Sequence, residues 1–228
     1  MLDNLIKTIC INVPNVILYL GRKKVVYMRD ISKEIKKRIN EMKSGSVFIA
    51  KDFLDIAEYE TARKVLNRLT NDGIIKKVIR GVYYNPRFSD KLKEYEVPSP
   101  HQVALAIARK FNWNIAPSGI TALNLLGLST QVSAKWSYIS DGAYNRFKID
   151  NITIEFKHRS NREITGMSYK TALVIQGIKA LGKSNIDESV INRFRAALTE
   201  EERQVLLSES KPATVWVYQV TRAICRGN

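Results

Sequence analysis

The sequence has few of the residues that build metal sites or disulfide frameworks. It contains 2 cysteines and 2 histidines in 228 residues. Cys10 and Cys225 lie near opposite ends without metal-ligand spacing, and His101 and His158 are far apart in the sequence. We therefore expect no disulfide framework, no metal and no cofactor, a pattern that fits a reducing cytoplasm.

The sequence also lacks an apolar run that could span a bilayer. The N-terminal stretch TICINVPNVILYLG is short and interrupted by Pro14, whereas a spanning helix needs about 20 apolar residues. No small-residue cleavage site precedes GRKK, which disfavours a signal peptide. The recognisable segments begin after Met28, so we hypothesise that Met28 is the true initiator and treat residues 1–30 as an N-terminal extension. We expect a cytoplasmic protein that does not contact membranes.

Motifs for catalysis and nucleotide binding are missing as well. The sequence contains neither a P-loop nor a dinucleotide-binding glycine motif. Ser118, Asp141, Glu155 and His158 are conceivable catalytic groups. However, PSGIT lacks the flanking glycines of a nucleophile elbow, and Ser118 is better explained as a helix N-cap. Asp141-Gly142 is typical of a turn. We predict that the protein is not an enzyme.

What the sequence does have is positive charge. Lys+Arg 37 against Asp+Glu 22 gives a net charge of +15 and a pI near 9.8. Such a charge attracts polyanions, and nucleic acid is the leading partner class, although an anionic membrane surface would also be attracted. The excess is spread over both halves of the chain, so it is not a disordered basic tail.

The pattern over residues 31–87 predicts a winged helix-turn-helix domain. DISKEIKKRINEMKSGS predicts a first helix, SVFIA a strand and KDFLDIA a second short helix. YETARKVLNRLTNDG has Ala62, Val65, Leu66 and Leu69 at helical spacing, with Gly73 as its C-cap. IIKKVI and VYYN then predict two strands around Arg80-Gly81.

The side of the YETARKVLNRLTNDG helix opposite its apolar stripe carries polar and basic groups. Arginine and asparagine match the edges of guanine and adenine in the major groove, and lysine favours phosphate. Basic side chains on the following hairpin could reach the flanking backbone or a minor groove. The predicted DNA-binding residues are Arg63, Lys64, Asn67, Arg68, Asn71, Lys76, Lys77 and Arg80.

Residues 88–98 are polar and mixed in charge, which predicts a linker to a second domain over residues 99–228. Ser99, Pro100 and Gln102 predict a capping box before VALAIARKF. NRFKIDNITIEFKHR alternates around Asp150-Asn151 and predicts a β-hairpin. APSGITALNLLGL predicts a turn into another helix and KWSYISDG a strand into a turn. The last part of the chain predicts helices, one of them capped by Thr199 and Glu202. The expected fold class is thus α+β, with a winged helix followed by a mixed α/β domain that has a β-hairpin and a helical C-terminal part.

Two segments of the second half carry a more specific resemblance. APSGITALNLLGLSTQVSAKWSYISDG and ITIEFKHRSNREITG, together with GSVFIAKDFLD and VLNRLTNDGIIKKVIRGVYYNP, resemble the AbiEi-type antitoxins of bacterial abortive-infection toxin–antitoxin systems. The resemblance covers roughly residues 30 to 225. It implies a winged helix that binds operator DNA and represses its own operon, and a C-terminal domain that counters a nucleotidyltransferase toxin. It also implies a type IV arrangement in phage defence, in which antitoxin and toxin form no stable complex.

The resemblance transfers a DNA-binding role to the basic residues of the winged helix but no catalytic signature. For the antitoxin domain, the cluster Lys157, His158, Arg159 and Arg162 is a possible functional surface, and a solvated face is the simpler interpretation. We expect a dimer on an inverted repeat. Two alternatives stay open: a winged-helix regulator with a ligand- or partner-sensing C-terminal domain, and an RNA-binding protein.

Overall fold

The structure is a computed structural model that describes residues 15–20, 23–28, 30–91, 93–131, 133–159 and 164–226. It has a mixed α+β architecture with several small sheets. At the N-terminal end, strands β1 (Asn15–Leu20) and β2 (Lys23–Met28) pair antiparallel, with Asn15 opposite Met28. Within the described ranges, no helix combines the length and the apolarity that a bilayer crossing requires.

Residues 31–84 fold as helices against a three-stranded sheet. Helix α1 (Ile31–Glu41) is followed by strand β3 (Val47–Phe48), helix α2 (Tyr59–Asn71) and strands β4 (Lys76–Ile79) and β5 (Val82–Tyr84). The sheet order is β3-β5-β4, and both pairings are antiparallel. The predicted apolar stripe is confirmed, because Ala62, Val65, Leu66 and Leu69 are all buried in one cluster with Ile35 and Ile39 of α1.

The short helix predicted for KDFLDIA is wrong in type and extent. The chain forms one 3₁₀ turn at Ala50–Phe53 instead. The Asp52 carboxylate explains why the turn is tight, since it accepts a hydrogen bond from the Ile49 backbone N–H at 3.0 Å and so closes the turn on itself. Phe53 is fully buried and meets Phe48 edge to face, which anchors the turn in the core.

The segment predicted as a linker contains a small hairpin. Strands β6 (Phe88–Ser89) and β7 (Glu94–Tyr95) pair antiparallel, and Lys93 before β7 has a positive φ of 56°. The rings of Phe88 and Tyr95 meet edge to face with centroids 5.3 Å apart. Residues 88–98 are therefore partly ordered by their own side chains.

The second half is built around a four-stranded sheet of order β10-β11-β9-β8. Helix α3 (Pro100–Phe111) leads into β8 (Ile115–Pro117), helix α4 (Ile120–Leu125), β9 (Lys135–Ser140), β10 (Asn145–Ile149) and β11 (Ile152–His158). The β10–β11 hairpin predicted around Asp150-Asn151 is confirmed, and β11 runs parallel to β9. Asp150 has a φ of 48°, the left-handed geometry that favours Asp and Asn in tight hairpin turns.

Two predicted helix starts differ from the structure. Ser99 is the N-cap of α3, but its side chain makes no capping hydrogen bond, so the predicted capping box is wrong. Gly119, not Ser118, is the N-cap of α4. Its φ of 60° and ψ of −140° explain the choice, because glycine adopts that conformation without strain.

The C-terminal part is helical as predicted. It consists of α5 (Tyr169–Leu181), α6 (Glu188–Ala196), α7 (Glu200–Glu209) and α8 (Val215–Cys225). The capping box of α7 is confirmed, since the Thr199 hydroxyl accepts from the Glu202 backbone N–H and the Glu202 carboxylate accepts from the Thr199 N–H. Phe194, Leu206 and Val217 of three different helices are buried together against α5.

One apolar cluster is shared by the two halves of the chain. Ile49 and Val82 of the first half are buried with Val103 and Ile107 of α3 and with Phe156 of the central sheet. Hydrogen bonds reinforce this junction. Lys51 donates to the Lys110 carbonyl, Arg109 donates to Asp52, and Lys110 donates to the Arg80 carbonyl. The position of the first half is therefore tied to α3 by a continuous packed surface rather than by the connecting segment alone.

Candidate nucleic-acid interface

The outer side of α2 is exposed and basic. Its apolar stripe faces the core, so the polar residues at the intervening positions point to solvent. Exposed on this side are Arg63, Lys64, Asn67, Arg68 and Asn71. The predicted outward orientation of these side chains therefore agrees with the structure.

Two of the arginines on α2 are already held by partners. Nε and Nη2 of Arg63 donate to one Glu60 carboxylate oxygen at 3.1 and 2.7 Å, and this hydrogen bond lowers the pKa of Glu60. Arg68 donates to the Ser32 hydroxyl of α1. These hydrogen bonds orient the two guanidinium groups. The negative charge of Glu60 also lowers the net positive charge of the surface around Arg63.

Asn67 is oriented by strand β5 of the β4–β5 hairpin. Its Oδ1 accepts a hydrogen bond from the Tyr83 hydroxyl of β5 at 2.8 Å. A side-chain carbonyl has two lone pairs and its amide has two N–H groups. Asn67 therefore keeps one acceptor position and its NH₂ group for a ligand, which is the set that a bidentate contact with adenine requires.

Arg63 and Asn67 line one cleft with the turn of the β4–β5 hairpin. The cleft has a volume of about 450 Å³. Arg80 and Gly81 of the hairpin turn form one side of the cleft, and the half-exposed ring of Tyr59 lies at the start of α2. Of the predicted DNA-binding residues, Arg63, Asn67 and Arg80 are thus brought together by the fold.

The other predicted wing residues point elsewhere. The Lys76 ammonium lies 3.5 Å from the centroid of the Tyr95 ring, a cation–π contact with the 88–95 hairpin. Lys77 is exposed and lines a separate groove together with Lys148 and Asp150 of the second half. Neither lysine lines the cleft of Arg63 and Asn67.

Lys110 is a residue of this cleft that the sequence did not indicate. It belongs to the last turn of α3, yet its Nζ donates to the Arg80 backbone carbonyl at 2.6 Å and lines the cleft. Burial and the nearby Arg80 lower its pKa. A basic pair at a helix C-terminus is ordinary in a sequence, because it complements the helix dipole. Only the tertiary structure shows that Lys110 lies beside the turn of the β4–β5 hairpin.

Residues near Lys110 clamp the same junction. The Arg109 guanidinium donates to Asp52 at 3.0 and 3.1 Å and to the Val47 carbonyl at 3.2 Å. The Lys51 ammonium donates to the Lys110 carbonyl at 3.0 Å and to the Asn112 side chain at 2.9 Å. The Lys51 bond satisfies an orphan carbonyl at the end of α3, and together these bonds hold the segment from Val47 to Asp52 against that end of the helix.

The second predicted surface is only partly formed as one patch. Lys157 lies 3.6 Å from the Glu155 carboxylate. His158 Nδ1 pairs with the Gly142 carbonyl at 2.9 Å, and Arg159 donates to the His158 carbonyl. Because residues alternate across a strand, Lys157 and His158 point to opposite faces. Arg162 lies outside the described residues.

Glu155 is buried at the centre of a basic cluster. Its side chain is 2% exposed and accepts from Arg146 and from the Tyr144 hydroxyl at 2.8 Å each, while the Lys135 ammonium lies 2.8 Å from the other oxygen. Burial by itself would raise the pKa of Glu155, but the hydrogen bonds from Lys135, Arg146 and Tyr144 lower it to about 2. A carboxylate held this firmly in its charged form is a poor proton acceptor at neutral pH.

The remaining conceivable catalytic groups are engaged separately. Asp141 accepts from the backbone and side-chain amides of Asn114 at 2.9 and 2.7 Å, and the Ser118 N–H donates to the Ser137 carbonyl. Within the part of the chain that the structure describes, Ser118, Asp141 and His158 do not hydrogen-bond to one another. Among the residues that the structure describes, no group of three His, Cys, Asp or Glu side chains is placed to hold a metal ion.

Comparison with known proteins places the chain in a family. No curated protein matches it. Among solved structures, the crystal structure of the RV2827C protein from Mycobacterium tuberculosis is similar over 92% of this chain and 80% of that chain, at 11% identity and a TM-score of 0.38. The model of the DUF6088 family, a family of unknown function, matches residues 34–206. Because the match covers most of its length, the chain belongs to the DUF6088 family.

Proposed function

We infer that residues 31–87 form a winged helix that binds duplex DNA, with α2 in the major groove and the β4–β5 hairpin as the wing. The order of elements supports this inference: a helix, a short strand, a tight turn, a second long helix and a hairpin that pairs with the first strand. An exposed helix with a buried apolar side and a basic outer side has the shape and charge that the major groove accepts.

The observation that carries the inference is the cleft between α2 and the wing turn. It brings Arg63, Asn67 and Arg80 to one surface, where Arg63 and Asn67 carry the donor and acceptor groups that contact base edges. Lys64, exposed on the same side of α2, suits a phosphate contact. One acid, Glu60, lines the cleft and is bound to Arg63. A phosphate or a base edge can contact the Arg63 guanidinium only after the Glu60 carboxylate moves away from it.

DNA binding is tested by fluorescence anisotropy with a duplex from the region upstream of the gene and a random duplex of equal length. Arg63→Ala and Asn67→Ala should each weaken specific binding by roughly 1–3 kcal/mol and lower discrimination between the two duplexes. Lys64→Ala should weaken both duplexes alike and flatten the salt dependence. Lys183→Ala, an exposed lysine of the second half, is the matched control. Equal losses on both duplexes for Arg63→Ala and Asn67→Ala would refute readout of base edges by α2.

On the basis of the resemblance of residues 30 to 225 to the AbiEi-type antitoxins, we propose that the protein serves as an antitoxin. It represses its own operon through the winged helix and counters a nucleotidyltransferase toxin encoded beside it, in the type IV arrangement without a stable complex. A single small DNA-binding module gives limited specificity, so two copies read an inverted repeat.

Co-expression with the adjacent gene tests the antitoxin role. Expression of that gene alone should arrest growth, and the full chain should restore it. The Arg63→Ala variant, expressed from an unrelated promoter, should restore growth as well, because neutralisation and DNA binding are separate activities. Growth arrest that persists with the full chain contradicts the antitoxin role and leaves the DNA-binding inference standing.

A further inference from the structure

One face of the central sheet is basic although the opposite face is buried. Phe147, Ile154 and Tyr138 of the three adjacent strands β10, β11 and β9 pack into the apolar cluster against α3. The alternate residues point the other way, and their register places them in rows across the strands. This face, called the basic sheet face below, carries the cations Lys135, Arg146, Lys148 and Lys157.

The rows of the basic sheet face set cations around one carboxylate. Lys148, Thr153 and Lys135 form one row, and Arg146, Glu155 and Ser137 form the next. Residues two apart on a strand lie about 6.6–6.8 Å apart, so the positive groups form a compact grid. Four cations against one buried acid leave the grid with a net positive charge of three.

Glu155 holds this grid together. It is 2% exposed, whereas the side chains of Lys135, Arg146 and Lys157 that surround it are 44–56% exposed. Cations placed this close repel one another, and a central carboxylate offsets that repulsion while leaving their outer surfaces open to solvent. The arrangement presents the charges in fixed positions, which lowers the entropy that binding an anion would lose.

An aromatic ring lies at the edge of the grid. The Tyr144 hydroxyl donates to Glu155 at 2.8 Å and accepts from Arg146 at 3.0 Å, so both contacts hold the residue in place. Tyr144 is nevertheless 57% exposed. A ring that is fixed at one end and open to solvent over most of its surface is a platform on which a planar base can stack.

We propose that the basic sheet face binds a single-stranded nucleic acid, with its phosphates on Lys135, Arg146, Lys148 and Lys157 and a base on Tyr144. Single strands are bound in this way on flat sheets, where cations follow the backbone and aromatic rings stack the bases. A duplex is read by an element that enters a groove, whereas this face is the surface of a sheet, which is covered at Ile139 of β9 and carries its cations beside that covered part. The site is separate from the cleft between α2 and the wing turn, although Lys148 also lines a groove with Lys77 of β4, and it does not depend on the function inferred for that cleft.

The test is fluorescence anisotropy of the full chain with a labelled 12-nucleotide oligouridylate at low salt. Lys148 is exposed, so Lys148→Glu should retain the fold. Circular dichroism checks that the variant is folded. We expect the affinity to fall tenfold or more and the salt dependence to weaken. Lys183→Glu makes the same charge change elsewhere in the second half and should alter the affinity by less than twofold.

Two further variants test the stacking contact. Tyr144→Leu should weaken binding of the oligouridylate about fivefold or more, whereas Tyr144→Phe keeps the ring and should retain most of the affinity. The proposal is overturned if the oligouridylate does not bind, if Lys148→Glu binds it as the unaltered chain does, or if Tyr144→Leu and Tyr144→Phe lose equal affinity. It is also overturned if polyglutamate of equal charge competes as well as the unlabelled strand, or if a 12-base-pair duplex binds more tightly with the same dependence on Lys148.

Discussion

Replacing Glu155 by Gln tests whether this buried carboxylate stabilises the central sheet. The substitution keeps the size of the side chain and removes the charge that Lys135, Arg146 and Lys157 share. The uncompensated cations then repel one another, and their contacts with the amide are weaker than those with a carboxylate. We expect the variant to fold with a lower free energy of unfolding at neutral pH.

The magnitude follows from the pKa of Glu155. Its value falls from 4.5 to about 2 in the folded chain, and one pKa unit corresponds to about 1.4 kcal/mol. The shift therefore represents about 3 kcal/mol of stabilisation at pH 7. The partner side chains are about half exposed, so water and salt screen part of this, and we expect a loss of about 2 kcal/mol for Glu155→Gln.

The pH dependence of the loss has a definite sign. A carboxylate with a lowered pKa stabilises the fold above its unfolded pKa, near 4.5, and this contribution disappears as the pH falls toward 2. The difference between the unaltered chain and Glu155→Gln should therefore be full at pH 7 and shrink steadily below pH 4.5. Urea unfolding at pH 7, 5 and 3.5 in low salt measures it, with the exposed Glu94→Gln as control. A difference below about 0.5 kcal/mol at pH 7, or one independent of pH, would refute the reasoning.

Three further changes probe other parts of the fold. Gly142→Ala should destabilise the protein by about 1–3 kcal/mol, because a Cβ there would come within 2.2 Å of the Trp113 ring; thermal unfolding with tryptophan fluorescence measures the change, and an unaltered Tm contradicts it. Burial lowers the pKa of His101 below its ordinary value of 6.5, so as the pH falls the unfolded imidazole takes up a proton before the folded one does, and stability should fall from pH 7.5 to 5.5. His101→Asn should show a shallower fall, and an equal slope contradicts the assignment. Lys51→Ala removes the bonds to the end of α3, among them the one to Asn112, and should increase amide exchange in α3 without unfolding the chain; unchanged exchange would show that the clamp is not needed.

The sequence predicted long periodic elements well because their burial follows directly from spacing. Leu66 and its neighbours on α2 are buried as their helical period requires, and the β10–β11 hairpin forms around Asp150. Strand β8 was not predicted, because Ile115–Pro117 is three residues long and its pairing with β9 depends on distant sequence. Such a segment carries no period of its own.

The candidate site was predictable only where one helix carries it. The outer side of α2, with Arg63 and Asn67, follows from the same period that buries Leu66. Lys110 and the grouping of cations around Glu155 depend on how separate elements meet, and no local pattern reports such contacts. Within the predicted cluster, Lys157 and His158 point to opposite faces of the sheet because neighbouring strand residues alternate, which a list of basic residues in the sequence does not reveal.

The apolar cluster that Ile49 and Val82 share with α3 has a mechanical consequence. If the chain were cut before residue 99, the apolar surfaces that the two halves bury against each other would be exposed to water, so each fragment should be less soluble than the intact chain. Heat or urea should melt the intact molecule in one cooperative step. A force that acts on the central sheet is therefore transmitted to the first half of the chain through this cluster, so the orientation of α2 relative to the sheet depends on the packing of both halves.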